Sequence, residues 1–133
     1  MKLQSEIANT FFENDYVKIA LDKNIVTGTF KSEFIDLSLA QMIIKWRLEF
    51  QNGNWYPLLS NIKSIKNNTK EARDYMASKE ACEGITAAAI LIDSPVGKTI
   101  GNFLIFCSKP VVPSKIFTDE AESIQWLQQY TEV

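Results

Sequence analysis

Residues 86–92 (Thr-Ala-Ala-Ala-Ile-Leu-Ile) run without polar alternation. That pattern predicts a central strand covered on both faces. A turn-like stretch, residues 93–97, follows, and residues 98–107 are then apolar on nearly every side. A helix of that kind must be buried or lie in a subunit contact. Upstream, residues 16–21 and 25–30 are rich in β-branched and aromatic side chains, with Asp22, Lys23 and Asn24 between them. They predict a β-hairpin with a three-residue loop. Ile7, Phe11 and Phe12 mark residues 1–14 as an N-terminal arm or an edge strand.

Asp36 reads as a helix N-cap, with Phe34 and Ile35 as a hydrophobic staple. The helix it opens should reach about Gln51, turn Leu39, Ile43, Trp46 and Phe50 inward, and stop at a left-handed Gly53. Residues 55–60 predict a strand with Pro57 near its start or at a bulge. Residues 63–68 form a polar loop. Asn68 and Glu71 are spaced as a capping box for a second helix, which turns Ala72, Tyr75, Met76 and Lys79 to one side and ends at Gly84. After the apolar helix, Pro110 and Pro113 stiffen a crossing loop, and residues 114–118 form a last strand. Asp119 opens a final helix with Ala121, Ile124, Leu127 and Tyr130 inward and Trp126 on its flank. The order is ββαβαβαβα. Each strand–helix–strand passage implies a right-handed crossover in a mostly parallel sheet, which the first hairpin makes mixed. Residues 15–133 are thus expected to form a single α/β domain with four to six strands.

The chain has 133 residues, 46% hydrophobic and 23% charged, which suits one domain with a real core. The net charge of −2 removes the broad attraction that non-specific nucleic-acid binding needs. There is no histidine, which excludes Ser-His-Asp and Cys-His triads and every histidine metal site. Proton transfer would fall to carboxylates, Lys, Tyr or Cys. Cys82 and Cys107 are not spaced as a metal or redox pair and read as reduced thiols. The first residues hold no apolar signal core, and no apolar run approaches the roughly 20 residues of a membrane span. The expectation is a cytoplasmic protein without membrane span, metal or cofactor.

Several short stretches carry a resemblance: residues 36–40 (Asp-Leu-Ser-Leu-Ala), 71–75 (Glu-Ala-Arg-Asp-Tyr), 93–98 (Asp-Ser-Pro-Val-Gly-Lys), 101–103 (Gly-Asn-Phe), Lys109 with Pro110, and 117–121 (Phe-Thr-Asp-Glu-Ala) with Trp126 and Leu127. Together they resemble an uncharacterised bacterial family similar in fold to the STAS domain of anti-sigma-factor antagonists. The resemblance covers nearly the whole chain beyond Asn14. It implies a STAS-like α/β fold and one of two activities: switching of protein partners by phosphorylation of a Ser or Thr at a helix start, or retention of an apolar or lipid ligand against the sheet. The STAS switch turn holds an Asp-Ser or Asp-Thr pair and a Gly. The corresponding residues 65–71 have neither, which leaves Thr69 or Ser64 to stand in as the phosphorylation candidate.

Gly97, Lys98 and Thr99 suggest a phosphate loop, but the required first glycine is replaced by Ile92. Ser94 instead caps a helix with Pro95 in its first position, leaving Ser94, Gly97 and Lys98 as an anion or ligand candidate. Asn102 either bonds a neighbouring loop or lines a ligand pocket. Glu71, Arg73 and Asp74 are neighbours on one helix and predict a solvated face. Trp46, Tyr56 and Trp126 are expected in the core. No catalytic residue is assigned. The sequence therefore points to a non-enzymatic regulatory or protein-interaction module, a homodimer through residues 96–107, with a regulatory protein as a further partner. The alternative is a binder of a small apolar or lipid-like ligand between the sheet and that helix, which a cavity of about 300 Å³ or more would favour.

Overall fold

The computed structural model describes residues 10–93 and 112–131. Its strands are β1 (Phe11–Glu13), β2 (Val17–Asp22), β3 (Ile25–Phe30), β4 (Phe34–Ile35), β5 (Tyr56–Asn61), β6 (Asn67–Asn68), β7 (Ile85–Leu91) and β8 (Ser114–Phe117). Its helices are α1 (Leu37–Gln51), α2 (Lys70–Met76) and α3 (Glu120–Gln128). Six strands form one sheet in the order β1-β2-β3-β5-β7-β8, and β4 and β6 pair as a small second sheet. The first three strands are antiparallel and the rest of the large sheet is parallel. This is the expected mixed sheet with helical crossovers. Residues 96–107, and with them the apolar surface on which the homodimer expectation rests, lie outside the described residues. So do Ser94, Gly97, Lys98, Asn102 and Cys107.

The hairpin between β2 and β3 turns on two residues, not three. Asp22 pairs with Ile25, and both Lys23 (φ 54°) and Asn24 (φ 65°) are left-handed. Two positive φ values mark a type I′ turn, whose twist matches that of the flanking strands. Asp36 caps α1 by accepting the Leu39 N–H at 2.9 Å. The left-handed C-cap is Asn52 (φ 51°), followed by Gly53 (φ 84°). The buried face of α1 is Ala40, Ile43, Ile44, Arg47 and Gln51, so Leu39, Trp46 and Phe50 flank the core and only partly enter it. The inward stripe is displaced because two polar side chains find partners inside. The Arg47 guanidinium donates to Gln51 Oε1 (2.6 Å), Ala81 O (2.9 Å) and Glu83 O (3.0 Å). Gln51 Nε2 in turn donates to Asn54 O and Gly84 O. Gly84 (φ 82°) sits so close that a Cβ there would lie 2.9 Å from Gln51 Nε2.

Thr69, not Asn68, caps α2, its hydroxyl accepting the Ala72 N–H at 3.1 Å. The helix is seven residues long and stops at Met76; turns carry the chain to Gly84, and Lys79 is exposed. Pro57 stands at the register shift near the start of β5, where its missing N–H costs least. In α3, Asp119 accepts from the Ala121 and Glu122 amides. Leu127 and Ser123 are buried there while Ala121 is exposed. Ser123 enters the core because its hydroxyl donates to Glu120 O at 2.6 Å.

Two cores sandwich the sheet. Val17, Ile19, Val26, Phe30 and Ile90 pack with Ala40, Ile43 and Ala72 on the α1–α2 side. Ile25, Leu59, Ala87, Ala89, Leu91 and Phe117 pack with Leu127 of α3 on the other. Strand β7 feeds both, which is why its sequence lacks polar alternation. Trp126 lies between Phe117 and Tyr130, with ring centroids 5.7 and 5.1 Å away.

Candidate functional site

On the α1–α2 face of the sheet the described residues border a pocket. Parallel pairing aligns Leu58 of β5, Ala88 of β7 and Ser114 of β8 in one row, and Ser60 with Ile90 in the next. Ala88, Ser114 and Ser60 are small, and Ala88 and Ser114 stay partly exposed among the described residues. The result is a cavity of about 80 Å³, floored by these strands and walled by Phe30, Ile35, Ile44, Ile65, Met76 and Ile85. A buried water needs roughly 10–15 Å³ on this scale, so the space corresponds to about five to eight water-sized atoms. That is well under the roughly 300 Å³ expected from sequence for an apolar-ligand site, so the space does not meet that expectation and fits only a much smaller molecule.

The lining is mainly apolar. Its polar members are Ser60, Asn68, Arg73, Cys82 and Ser114. Ser114 Oγ donates to Val112 O at 3.0 Å. Burial pushes the Cys82 thiol up, against an opposing pull from Arg47, so the group is a neutral thiol near pH 7 and a poor nucleophile. Arg73 Nη1 donates to Asn68 Oδ1 at 2.8 Å. Its Nε is buried and has no hydrogen-bond partner among the described residues. Arg73 belongs to none of the ion pairs among those residues, which are Lys31–Glu13, Lys66–Glu33 and Lys70–Asp74. No carboxylate from the described residues lines the cavity. Nor does any group of three or more His, Cys, Asp or Glu among them stand close enough to hold a metal. The arrangement can receive a small molecule and present it with a cation; among the described residues it holds no paired acid and base.

A second cleft, about 130 Å³, lies at the C-terminal end of α1 beside Gly53, Trp55 and Glu83. Its amides, Gln51 and Asn54, are already engaged with Arg47, Gly84 and each other.

Thr69 is half-buried and its hydroxyl serves as the α2 cap, while Ser64 is exposed in the turn after β5. Among the residues considered from sequence, Glu71 and Asp74 are exposed, as a solvated face requires. Arg73 departs from that face and lines the cavity. The signal was present in the spacing: Arg73 adjoins Ala72 and stands three residues before Met76, so it occupies the margin of the buried stripe. Its partner Asn68 has the chemistry of a cap but bonds the Arg73 guanidinium, while Thr69 takes the cap.

A model of the family described as "Domain of unknown function (DUF7793)" matches residues 19–131. No curated protein matches the chain. Among solved structures, the fold is similar to that of an uncharacterized protein of the DUF3478 family with a SpoIIAA-like fold from Shewanella loihica, at a TM-score of 0.62 and 10% identity. The match covers 87% of this chain and 97% of that one. It shows a STAS/SpoIIAA-like fold, in agreement with the resemblance drawn from the residues.

Proposed function

The chain belongs to the DUF7793 family, and we propose that it is a non-catalytic, STAS-like regulatory module that binds a small, largely apolar molecule between its sheet and α1–α2. The observation that carries this reading is the partly open pocket over Ala88 and Ser114, about 80 Å³ of free space bordered mainly by apolar side chains. Cores normally keep few voids larger than a water, since empty space forfeits dispersion contacts. Catalysis has no support in the lining among the described residues: the thiol is held neutral and none of their carboxylates lines the pocket. Native mass spectrometry of the purified protein tests the reading directly, since a retained small molecule adds its mass. Ala88→Phe fills the floor of the cavity and is expected to abolish that adduct. An adduct that persists unchanged in Ala88→Phe would place the ligand elsewhere and defeat the assignment.

A regulatory module also needs a protein surface, and one set of side chains suits it. Tyr16 is exposed and stacks on Trp46 at 6.3 Å, with Phe12 6.0 Å from the same ring. Met42, one turn before Trp46 on α1, is also exposed. Light scattering over a range of concentrations reads whether this surface joins two copies; a dimer that Tyr16→Ser with Met42→Ser dissociates would support that use.

A further inference from the structure

We propose that the ligand is a small organic anion: a short aliphatic or aromatic carboxylate whose apolar end rests over Ala88 and Ser114 and whose charge meets Arg73. The inference rests on the cavity being a ligand site and adds the chemical class of the ligand.

The first support is the state of the Arg73 guanidinium. It carries five N–H donors in a fixed plane. One of its nitrogens is taken by Asn68 at 2.8 Å, and the Nε N–H is buried without a partner among the described residues. A desolvated donor left unmatched is unfavourable, and more so on a charged group. The same guanidinium has no ion-pair partner among those residues, although carboxylates stand nearby in sequence. Asp74 pairs with Lys70 at 2.8 Å, and Glu71 is exposed. The polar lining of the cavity thus contains one cation and no anion from the described residues.

The second support is preorganisation. Asn68 is held in the β4–β6 ladder opposite Ile35, and the next amide, Thr69 N–H, donates to Ile35 O at 3.1 Å. Asn68 therefore offers Arg73 a fixed acceptor. An arginine oriented by a second side chain loses less freedom when it grips a carboxylate. The third is size. Room for about five to eight non-hydrogen atoms fits the ring of benzoate or the chain of hexanoate. An inorganic anion would leave the apolar floor unused, and a neutral hydrocarbon would leave the guanidinium unmatched.

The test compares acids with their neutral counterparts on the intact protein. Benzoate and hexanoate, and separately benzyl alcohol and hexanol, are titrated while the backbone amide resonances of Ala88 and Ser114 are followed by NMR. The acids are expected to give saturable shifts at those amides, with the alcohols bound about tenfold more weakly or less, as befits loss of a charge-assisted pair. Arg73→Gln is expected to weaken the acids about tenfold or more and to leave the alcohols within about twofold. Acids and alcohols binding alike, with Arg73→Gln without effect, would overturn the anionic class while leaving an apolar pocket in place. Absence of a saturable response from all four probes would remove both the class and the pocket reading. The comparison of acid with alcohol on the unaltered protein decides the matter even if Arg73→Gln folds poorly.

Discussion

Arg47 is only 4% exposed, in the middle of a hydrophobic face. Burial pushes its guanidinium down to about 10, so it is still charged at neutral pH. It is tolerated because it ties the end of α1 to the chain entering β7 through Ala81, Glu83 and Gln51. Removing one partner of such a network leaves the others desolvated and unmatched. Arg47→Met is expected to lower unfolding stability by about 2–4 kcal/mol, read by urea denaturation. At the other extreme, Lys31 bonds the exposed Glu13 carboxylate at 2.9 Å, and this hydrogen bond with the accompanying charge attraction lowers the Glu13 pKa from 4.5. A carboxyl lowered in the folded state contributes stability above its unfolded value, near 4.5 here. The contribution is lost as pH falls through the folded value. Screening by solvent at this surface pair makes it small. An NMR titration should show Glu13 with a midpoint below 4.5, and Lys31→Met should return it to that value.

Among the elements, α2 depends most on its end. Seven residues cannot sustain a helix in water without help. Thr69 supplies a cap, and Ala72, fully packed, supplies the anchor. Thr69→Ala is expected to cost about 1 kcal/mol by thermal or urea unfolding. Asn68→Ala should leave that cap in place and instead release Arg73, because Asn68 bonds the guanidinium and not the helix amides. The two variants separate the capping role from the site.

The whole molecule is asymmetric about its sheet. Ala88 and Ala89 are neighbours on β7 and face opposite layers, Ala88 over the cavity and Ala89 into the α3 core at 0% exposure. A single added branch should therefore have different consequences at the two positions. Ala89→Val is expected to lower stability by about 1–3 kcal/mol through overpacking. Ala88→Val should fall within about 0.5 kcal/mol of the parent, since free volume is available to receive it. Equal losses at both positions would mean that the α1–α2 face is as tightly filled as the other.

Much of the architecture was legible along the chain. Asp36 and Asp119 announced their helices because an N-cap acts on amides two or three residues away. Strand β7 announced its double burial because both of its faces are apolar, and Pro57 marked the irregular start of β5. These are local effects, and a linear sequence contains them. Arg47 facing inward, Thr69 taking the cap from Asn68, and Arg73 meeting a cavity were not legible in the same way. Each depends on acceptors or empty space supplied by segments distant in the chain or by competition between adjacent caps. The amino-acid order by itself determined the strands β2, β3, β5, β7 and β8, the helices α1 and α3, and their mixed sheet with crossovers, but not the β4–β6 pair, read as a staple and a polar loop, or the early end of α2. Tertiary structure alone decided which polar side chains find partners inside and where small residues from three strands line up beneath a gap, because burial and free volume belong to the packed assembly of elements and to no single one of them.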